Sequence, residues 1–255
     1  MASMNDWLDD LRLAVGMLTR VPVPHPDGAA PPYLPRAHRV FPLVGAAIGG
    51  VIGLFYLGLS AIGMPVIATA ALSLGAGMLL TGAFHEDGLA DLADGFGGGR
   101  DKAQKLEIMR DSRLGTYGAL VLLVSFTAKA AALAALPHAS VVAALIAAHA
   151  LSRGPLAAVT LILPNARDTG LAADAGKIEP SVAATAAAMA LLIVVICLPV
   201  ADALLAVLVT IAAVAAVALL AQRQIGGYTG DVLGSAQQVA ETALLLLLAV
   251  RHGAP

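Results

Sequence analysis

Three aspartates follow the second long apolar segment of the chain at a spacing that suits metal binding. Asp87, Asp91 and Asp94 stand at positions i, i+4 and i+7, so on a helix they form one stripe about 10 Å long. Like charges so close together repel one another unless a cation neutralises them, and carboxylate oxygens are the ligands that Mg²⁺ or Mn²⁺ prefers. Glu86 lies one position off this aspartate stripe, close enough to join or flank it. The spacing therefore predicts a divalent-metal site.

The alternative interpretation of the aspartate stripe is a solvated acidic face beside a membrane helix. The residues between the aspartates (89, 90, 92 and 93) are all Leu or Ala, and Phe84 continues directly from an apolar segment. A helix that is polar along one narrow stripe and apolar elsewhere turns the stripe inward. This pattern favours the metal site.

A glycine-rich segment and several basic residues follow the stripe. Gly95 and the glycines of 97–99 end the predicted helix, and their backbone amides can approach an anion closely. The glycines match neither a P-loop nor a dinucleotide fingerprint. Together with basic side chains they predict a positively charged surface that binds phosphoryl groups opposite the metal. Alternatively, the basic residues anchor the loop at the membrane surface. The candidates for phosphate contact are Arg100, Lys105, Arg110 and Arg113.

Two acidic residues near the end of the chain are further candidates. Asp231 follows a glycine-rich turn and precedes an apolar segment; it either completes the pocket or caps the last helix. Glu241 lies about two turns inside the last apolar segment, and an intramembrane carboxylate is costly and so a functional candidate. The sequence leaves open whether Glu241 pairs with Lys129 or with Arg153.

The composition of the chain predicts an integral membrane protein. Of the 255 residues, 59% are apolar and only 13% are charged, with a mean hydropathy of +0.85. Ordinary soluble proteins are about 45–50% apolar and about 25% charged, so a soluble enzyme, a disordered chain and a nucleic-acid-binding protein are excluded as first interpretations. The single cysteine, Cys197, excludes a disulfide framework or a cysteine metal cluster.

The apolar residues form segments that are long enough to cross a bilayer, which takes about 20 residues. They are rich in Ala and Leu and do not alternate, which favours helices over barrel strands. We expect an all-α, polytopic transmembrane bundle of six to seven spans in one integral membrane domain, residues 1–255. The predicted spans are 41–62, 65–84, 117–136, 139–163, 181–200, 203–221 and, with a polar start, 232–250.

The first 40 residues are predicted to be a lead-in on the membrane surface. The apolar residues between Trp7 and Leu18 recur at helical spacing, which predicts an amphipathic interfacial helix. A proline-rich stretch from Val21 through Pro35 follows and is predicted not to be helical. In the first two spans, glycines at 45, 49 and 53 and small residues at 73, 77 and 81 predict close helix packing.

The basic residues predict the orientation. If all seven spans cross, residues 1–40, 85–116, 164–180 and 222–231 share one side, and they hold twelve of the 15 Lys and Arg residues. The positive-inside rule then places the N-terminus and the loop region 85–116 in the cytoplasm of a bacterium, with the spans in its cytoplasmic (inner) membrane. We therefore expect the chemistry at the cytoplasmic face.

Several motifs together resemble those of the cobalamin synthase family, the adenosylcobinamide-GDP ribazoletransferases. The resemblance extends from about residue 7 to residue 250 and implies a membrane-bound transferase. The main motif is Glu86-Asp87-Gly88-Leu-Ala-Asp91-Leu-Ala-Asp94-Gly95, followed by Ile108-Met-Arg110-Asp-Ser-Arg113-Leu-Gly-Thr-Tyr-Gly118. Three further segments resemble the family at matching places along the chain: Leu18–Pro24, Phe41–Gly45, and Gly226–Gly234 together with Glu241.

The resemblance implies a reaction between adenosylcobinamide-GDP and α-ribazole, or its 5′-phosphate. A ribose hydroxyl attacks the phosphorus next to the cobinamide, GMP leaves, and adenosylcobalamin or its 5′-phosphate forms, with Mg²⁺ required. Such a displacement needs a metal to neutralise the diphosphate and a base to accept the hydroxyl proton. A carboxylate of the stripe is the predicted base, with His85 as the weaker candidate.

The expected partners are these substrates and the lipid bilayer, not nucleic acid; a homo-oligomer or an association with other cobalamin-pathway enzymes is left open.

Two other classes of membrane protein share some of these features. A CDP-alcohol phosphatidyltransferase also uses an aspartate-rich helix with metal, but its motif requires Ala-Arg where Asp91-Leu92 stands here. A transporter would place its charges near the bilayer midplane, often within internal repeats. Most charges of this chain lie in the predicted cytoplasmic segments instead, which favours the enzyme.

Overall fold

The computed structural model describes residues 4–24, 33–167 and 178–253. This part of the chain is helical, without a β-strand, and confirms the all-α prediction. The helices are α1 (Met4–Leu18), α2 (Tyr33–Ala37), a 3₁₀ turn (His38–Val40), α3 (Phe41–Ala61), α4 (Val66–Thr81), α5 (Phe84–Gly98), α6 (Lys102–Ile108), α7 (Thr116–Ala135), α8 (His138–Leu151), α9 (Leu156–Ile162), α10 (Pro180–Cys197), α11 (Val200–Ile225) and α12 (Gly230–His252).

Six helical segments in the described residues are long and apolar enough to cross a membrane. They coincide with six of the seven predicted spans, including the uncertain last one, which is the continuous helix α12. The segments are Pro35–Ala61, Thr116–Ala135, His138–Ile162, Pro180–Cys197, Val200–Ile225 and Gly230–His252. The prediction of six to seven spans is confirmed.

The structure differs from the prediction at the span 65–84, where the helix is shorter than predicted and ends in a bend. Helix α4 has 16 residues, about 24 Å of helix, and α5 follows it at an angle of 93°. The break falls at Gly82 and Ala83, which both adopt left-handed backbone conformations (φ 66° and φ 54°). Glycine adopts this conformation at no steric cost, whereas alanine does so at some cost. The bend turns the acidic segment away from the α4 axis, so that α5 packs alongside α7 and α12, and its aspartates lie toward the end of the bundle where these two helices begin.

The glycines of the first span allow α3 to pack directly on α8. A Cβ at Gly45 would lie 2.3 Å from the His149 carbonyl oxygen, and a Cβ at Gly49 would lie 2.3 Å from that of Leu145. Only glycine permits this approach of two helix backbones. In α4, a Cβ at Gly77 would lie 2.6 Å from the side chain of Ile52. The small-residue motifs therefore serve helix packing, as predicted.

Helix α1 confirms the predicted N-terminal helix and is tied to the segment before α3 by charge. Its Ala14 and Leu18 are buried in the main apolar core. Asp10 is fully buried and forms ion pairs with Arg36 at 2.8 Å and with Arg39 at 2.5 Å. The buried carboxylate thus holds α1 to the segment before α3, and apolar residues of α1 pack against the bundle.

The proline-rich stretch is partly different from its prediction. Residues 21–24 are not helical, as expected, and residues 25–32 lie outside the described part of the chain. Helix α2, however, begins at Tyr33 and includes Pro35. Proline is tolerated there because a backbone N–H in the first turn of a helix has no intrahelical acceptor.

The two ends of the bundle are held by different contacts. At the end where α5 lies, residues 164–166 run beside the turn before α12: the Ala166 N–H donates to the Tyr228 carbonyl at 2.8 Å and the Tyr228 N–H to that of Pro164 at 2.9 Å. At the opposite end, the buried Asp202 at the start of α11 pairs with Arg251 and with His252 at the end of α12.

Candidate functional site

The aspartate stripe lies on one helix, α5, as its spacing predicts. Along that helix the three side chains differ in exposure: Asp87 is exposed, Asp91 is half-buried and Asp94 is buried. The three aspartates therefore do not share one environment, and Asp87 and Asp91 are more accessible than Asp94.

Close contact between α5 and α12 brings a fourth carboxylate to the stripe. A Cβ at Gly88 would lie 3.1 Å from the Asp231 Cα, and a Cβ at Gly234 would lie 3.3 Å from the His85 Cα. The Ser235 hydroxyl also donates to the Gly88 carbonyl at 3.0 Å. Residues almost 150 positions apart thus meet because both helices present glycine at the contact.

Asp231 faces this contact and does not cap its own helix. The N-cap of α12 is Thr229, whose hydroxyl accepts the Val232 N–H at 3.3 Å. The Asp231 carboxylate instead accepts a hydrogen bond from the Thr229 hydroxyl at 3.2 Å and forms an ion pair with Arg167 at 3.1 Å. Of the two roles that the sequence left open, the structure excludes the cap and leaves Asp231 beside the stripe.

Arg167 is a site residue that the sequence did not single out. It precedes the undescribed residues 168–177 and is held near Asp231 by the pairing of 164–166 with the turn before α12. Its position depends on that long-range contact, so the only local signal was its predicted cytoplasmic location. Arg167 is the guanidinium that the structure places beside the carboxylates.

The electrostatics of Asp91 reflect the crowding of carboxylates. Helix α5 lies outside the six spanning segments. Partial burial, and then the negative charges of Asp87, Asp231 and Asp94, raise the pKa of Asp91 from 3.8 to about 7, while Arg167 opposes this shift. A carboxylate in such surroundings is one that a bound cation would stabilise in its ionised form.

Asp94 is engaged by the backbone of the next span. Its carboxylate accepts the N–H groups of Gly115 at 2.8 Å and of Gly118 at 2.9 Å. These donors belong to the N-terminus of α7, where N–H groups lack intrahelical acceptors and the helix dipole favours negative charge. As a metal ligand, Asp94 would have to use its remaining lone pairs.

Glu86 and Glu241 belong to a second group of polar residues, inside the bundle. Lys129 donates to Glu241 at 3.2 Å and to the Gln238 amide oxygen at 2.7 Å, and Gln238 donates to Glu86 at 3.1 Å. Glu241 thus forms ion pairs with both candidate partners, with Lys129 at 3.2 Å and with Arg153 at 3.8 Å. We call this group the buried polar cluster; it consists of His85, Glu86, Lys129, His149, Arg153, Gln237, Gln238 and Glu241.

The buried polar cluster has little free space. Seven of its members line a cavity of ≈ 20 Å³, which has room for about one water molecule. A nucleotide does not fit there, so Glu241, a functional candidate that would bind substrate if it lined the active site, lies instead within an ion-pair network. His85 is also buried, with Nδ1 3.4 Å from the Arg153 guanidinium, and faces the cluster.

The predicted phosphate-binding residues lie around α6. Arg100, Arg110 and Arg113 are exposed, whereas Lys105 is half-buried and donates to the side chain of Gln224. Arg113 pairs with the neighbouring Asp111, which raises the arginine pKa through hydrogen bonding and charge. Arg113 also borders an open hollow of ≈ 300 Å³ whose other walls are Asp94, Gly98, Ile108, Asp111, Gly115, Thr116 and Tyr117.

The number and type of the carboxylates determine which kind of metal site they can form. Within residues 4–24, 33–167 and 178–253, no group of three or more His, Cys, Asp and Glu side chains is arranged to hold a metal ion. Mg²⁺ is usually held by one or two carboxylates, with water and substrate phosphate completing its coordination. Asp87 and Asp91, with Asp231 opposite, fit that kind of site and not an all-protein cage.

The fold and the site define a class: a polytopic helical membrane protein with carboxylates gathered at one end of its bundle. Comparison with known proteins is more specific. The model of the cobalamin-5-phosphate synthase family matches residues 10–249, and the chain belongs to this family, as the motifs predicted. It is accordingly an enzyme, a transferase. No solved structure matches the chain.

Three bacterial relatives illustrate the similarity, and each is named adenosylcobinamide-GDP ribazoletransferase. The protein of Bradyrhizobium diazoefficiens is 42% identical over 97% of this chain and 95% of its own. That of Azorhizobium caulinodans is 42% identical over 94% of both chains. That of Ralstonia nicotianae is 42% identical over 97% of both chains. The similarity therefore covers the stripe, α12 and the connecting spans alike.

Proposed function

We propose that this chain joins adenosylcobinamide-GDP to α-ribazole, or to α-ribazole 5′-phosphate, and releases GMP. The observation that carries the proposal is the meeting of Asp87 and Asp91 on α5 with Asp231 on α12, beside Arg167. Carboxylates for a metal and a guanidinium for a phosphate are the groups that phosphoryl transfer requires. The names of the relatives supply the substrates.

Asp87 and Asp91 would hold Mg²⁺, with Asp231 facing them. The bound ion would neutralise the diphosphate and the charge that develops on the leaving group. Glu86 and Asp94, the other predicted ligands, make their present contacts with Gln238 and with the N-terminus of α7. Their contribution to the site would therefore be to position α5 and α7.

Arg167 would bind a phosphate oxygen next to the metal, since a guanidinium donates two parallel hydrogen bonds to phosphate. Arg113, at the hollow beside Gly115, would contact the phosphate of the GMP part. Arg100, Lys105 and Arg110 surround the same end of the bundle and would attract the anionic substrate. The positive charges thus lie on the side of the stripe from which a soluble nucleotide arrives.

The base that accepts the ribose hydroxyl proton would be a carboxylate of the stripe. His85 is buried beside Arg153 and lines the small cavity of the buried polar cluster. Asp87 and Asp91 are the accessible members of the stripe. A carboxylate at the metal can take up the proton while the hydroxyl oxygen attacks phosphorus.

We also propose that the site faces the cytoplasm from the bacterial inner membrane. Support comes from the basic residues, which cluster at the end where α5, α6 and the start of α12 meet. Cysteine labelling tests this orientation in a Cys197→Ala background. We expect an impermeant maleimide applied to intact cells to label Ile62→Cys and to spare Glu107→Cys. The reverse pattern would contradict the orientation.

The reaction is tested by assaying GMP release from adenosylcobinamide-GDP with purified protein in Mg²⁺, with and without α-ribazole. We expect release only when both α-ribazole and Mg²⁺ are present, and loss of release in excess EDTA with recovery on adding Mg²⁺. GMP release that does not depend on α-ribazole but requires a lipid alcohol would instead indicate a lipid phosphotransferase.

A further inference from the structure

A chain of four polar side chains joins the middle of the bundle to the first turn of α5. Glu241 accepts a hydrogen bond from Lys129, which also donates to the Gln238 amide oxygen. The Gln238 amide nitrogen then donates to Glu86, the residue immediately before Asp87. The distances along this tether are 3.2, 2.7 and 3.1 Å.

The charges of the buried polar cluster balance only when α5 contributes. With its histidines neutral, the cluster holds two cations, Lys129 and Arg153, against Glu241 from α12. Glu86 supplies the second anion, 3.9 Å from the Lys129 ammonium. An uncompensated buried charge is strongly unfavourable, so Glu86 is drawn inward, and this sets the rotation of α5 about its axis.

The rotation of α5 decides where the aspartate stripe points. Successive residues of a helix are about 100° apart, so when Glu86 faces the cluster, Asp87 and Asp91 point to another side of α5, where Asp231 lies. Buried ion pairs are often replaceable by apolar residues without loss of stability. Stability alone therefore does not account for two ionised pairs at this position.

We propose that the tether Glu241–Lys129–Gln238–Glu86 positions α5 for the transfer reaction. Lys129, Gln238 and Glu241 act as positioning residues, since they line a space with room for about one water molecule and not for substrate. This inference rests on the function proposed above. When the tether is broken, α5 gains freedom to rotate and Asp91 leaves its place opposite Asp231.

The test compares Lys129→Met and Gln238→Met with Asp202→Asn in the full-length protein. Gln238→Met breaks the tether without removing a charge, so it serves if Lys129→Met does not fold. Asp202→Asn is the matched control because Asp202 is also a buried carboxylate paired with residues of α12, but at the opposite end from α5. All three variants are expected to lower the melting temperature.

Two measurements separate positioning from stability. The first is a separate determination of kcat and KM for GMP release. Both tether variants are expected to lower kcat about 10–100-fold, because misplaced catalytic groups slow the reaction, and to change KM far less. The second is the mobility of a spin label at Phe84→Cys in a Cys197→Ala background, since Phe84 is exposed at the start of α5. Mobility is expected to rise in the tether variants and to stay constant in Asp202→Asn.

The double variant Lys129→Met/Gln238→Met tests whether the residues act as one tether. Its kcat is expected to equal that of the more affected single variant, because either break releases α5. Unchanged label mobility and kcat in the tether variants would overturn the proposal, as would an equal loss of kcat in Asp202→Asn. If the wild type released no GMP, the proposed function would fail, but the label mobility would still decide whether the tether holds α5.

Discussion

The Asp94 carboxylate accepts a hydrogen bond from the Gly118 backbone N–H at 2.9 Å, and it occupies the space that a side chain at Gly118 would need. A Cβ there would lie 2.4 Å from the second carboxylate oxygen of Asp94, and one at Gly115 would be equally close to the first. The aspartate at the end of the stripe and the two glycines 21 and 24 residues later therefore form one structural unit. This unit caps α7 from outside its own sequence.

Asp94→Ala is expected to destabilise the protein. Two N–H groups of α7 lose their acceptor, and loss of a helix cap costs about 1–2 kcal/mol. GMP release should fall together with the melting temperature, because the segment between α5 and α7 carries Arg100 and Arg113. Thermal unfolding in detergent measures the change, and an unaltered melting temperature would show that the cap is dispensable.

Asp91→Asn is expected to have the opposite profile. Partial burial, and then repulsion by the neighbouring carboxylates, raise the Asp91 pKa to about 7. An uncharged asparagine avoids both costs, so the melting temperature should stay constant or rise. GMP release should be lost, since a neutral amide binds Mg²⁺ far more weakly than a carboxylate. The pair Asp94→Ala and Asp91→Asn thus separates a capping aspartate from a metal-binding one; full activity of Asp91→Asn would refute its role.

Gly88→Ala tests the contact that brings Asp231 to the stripe. The added methyl would lie 3.1 Å from the Asp231 Cα and 3.2 Å from its carbonyl oxygen, so α5 must move away from α12. The required shift is a few tenths of an ångström. Because a displacement of about 1 Å can reduce a rate about 100-fold, we expect a smaller but measurable loss of GMP release. The control is Gly75→Ala in α4, where a Cβ meets nothing within 4 Å; equal activities of the two variants would contradict the contact's importance.

Gly49→Ala tests the packing of α3 on α8, and the adjacent Gly50 supplies its control. A Cβ at Gly49 would lie 2.3 Å from the Leu145 carbonyl oxygen, whereas one at Gly50 would make only ordinary contact with Ile146 at 3.8 Å. Overpacking costs about 1–3 kcal/mol, so only Gly49→Ala should lower the melting temperature. A similar effect of both alanines would indicate general helix effects instead of close packing.

The local features of the site followed from sequence patterns. The i, i+4, i+7 spacing predicted one helix for Asp87, Asp91 and Asp94, and the structure has that helix. Asp231 was ambiguous, because a helix cap and a pocket residue look alike in sequence; the adjacent Thr229 takes the cap. Arg167 was missed because it reaches the site through a pairing of two loops that share no local pattern.

Hydropathy and residue spacing by themselves determined the all-α membrane fold, the spans and the acidic helix, because a bilayer requires long apolar helices and helical periodicity is local. The family followed from ordered motifs along the chain. Only the tertiary structure decided which carboxylates share a space: Asp231 joins Asp87 and Asp91, while Glu86 and Glu241 turn to Lys129. The physical reason is that helix rotation and glycine contacts set these pairings, and neither is encoded within any single segment.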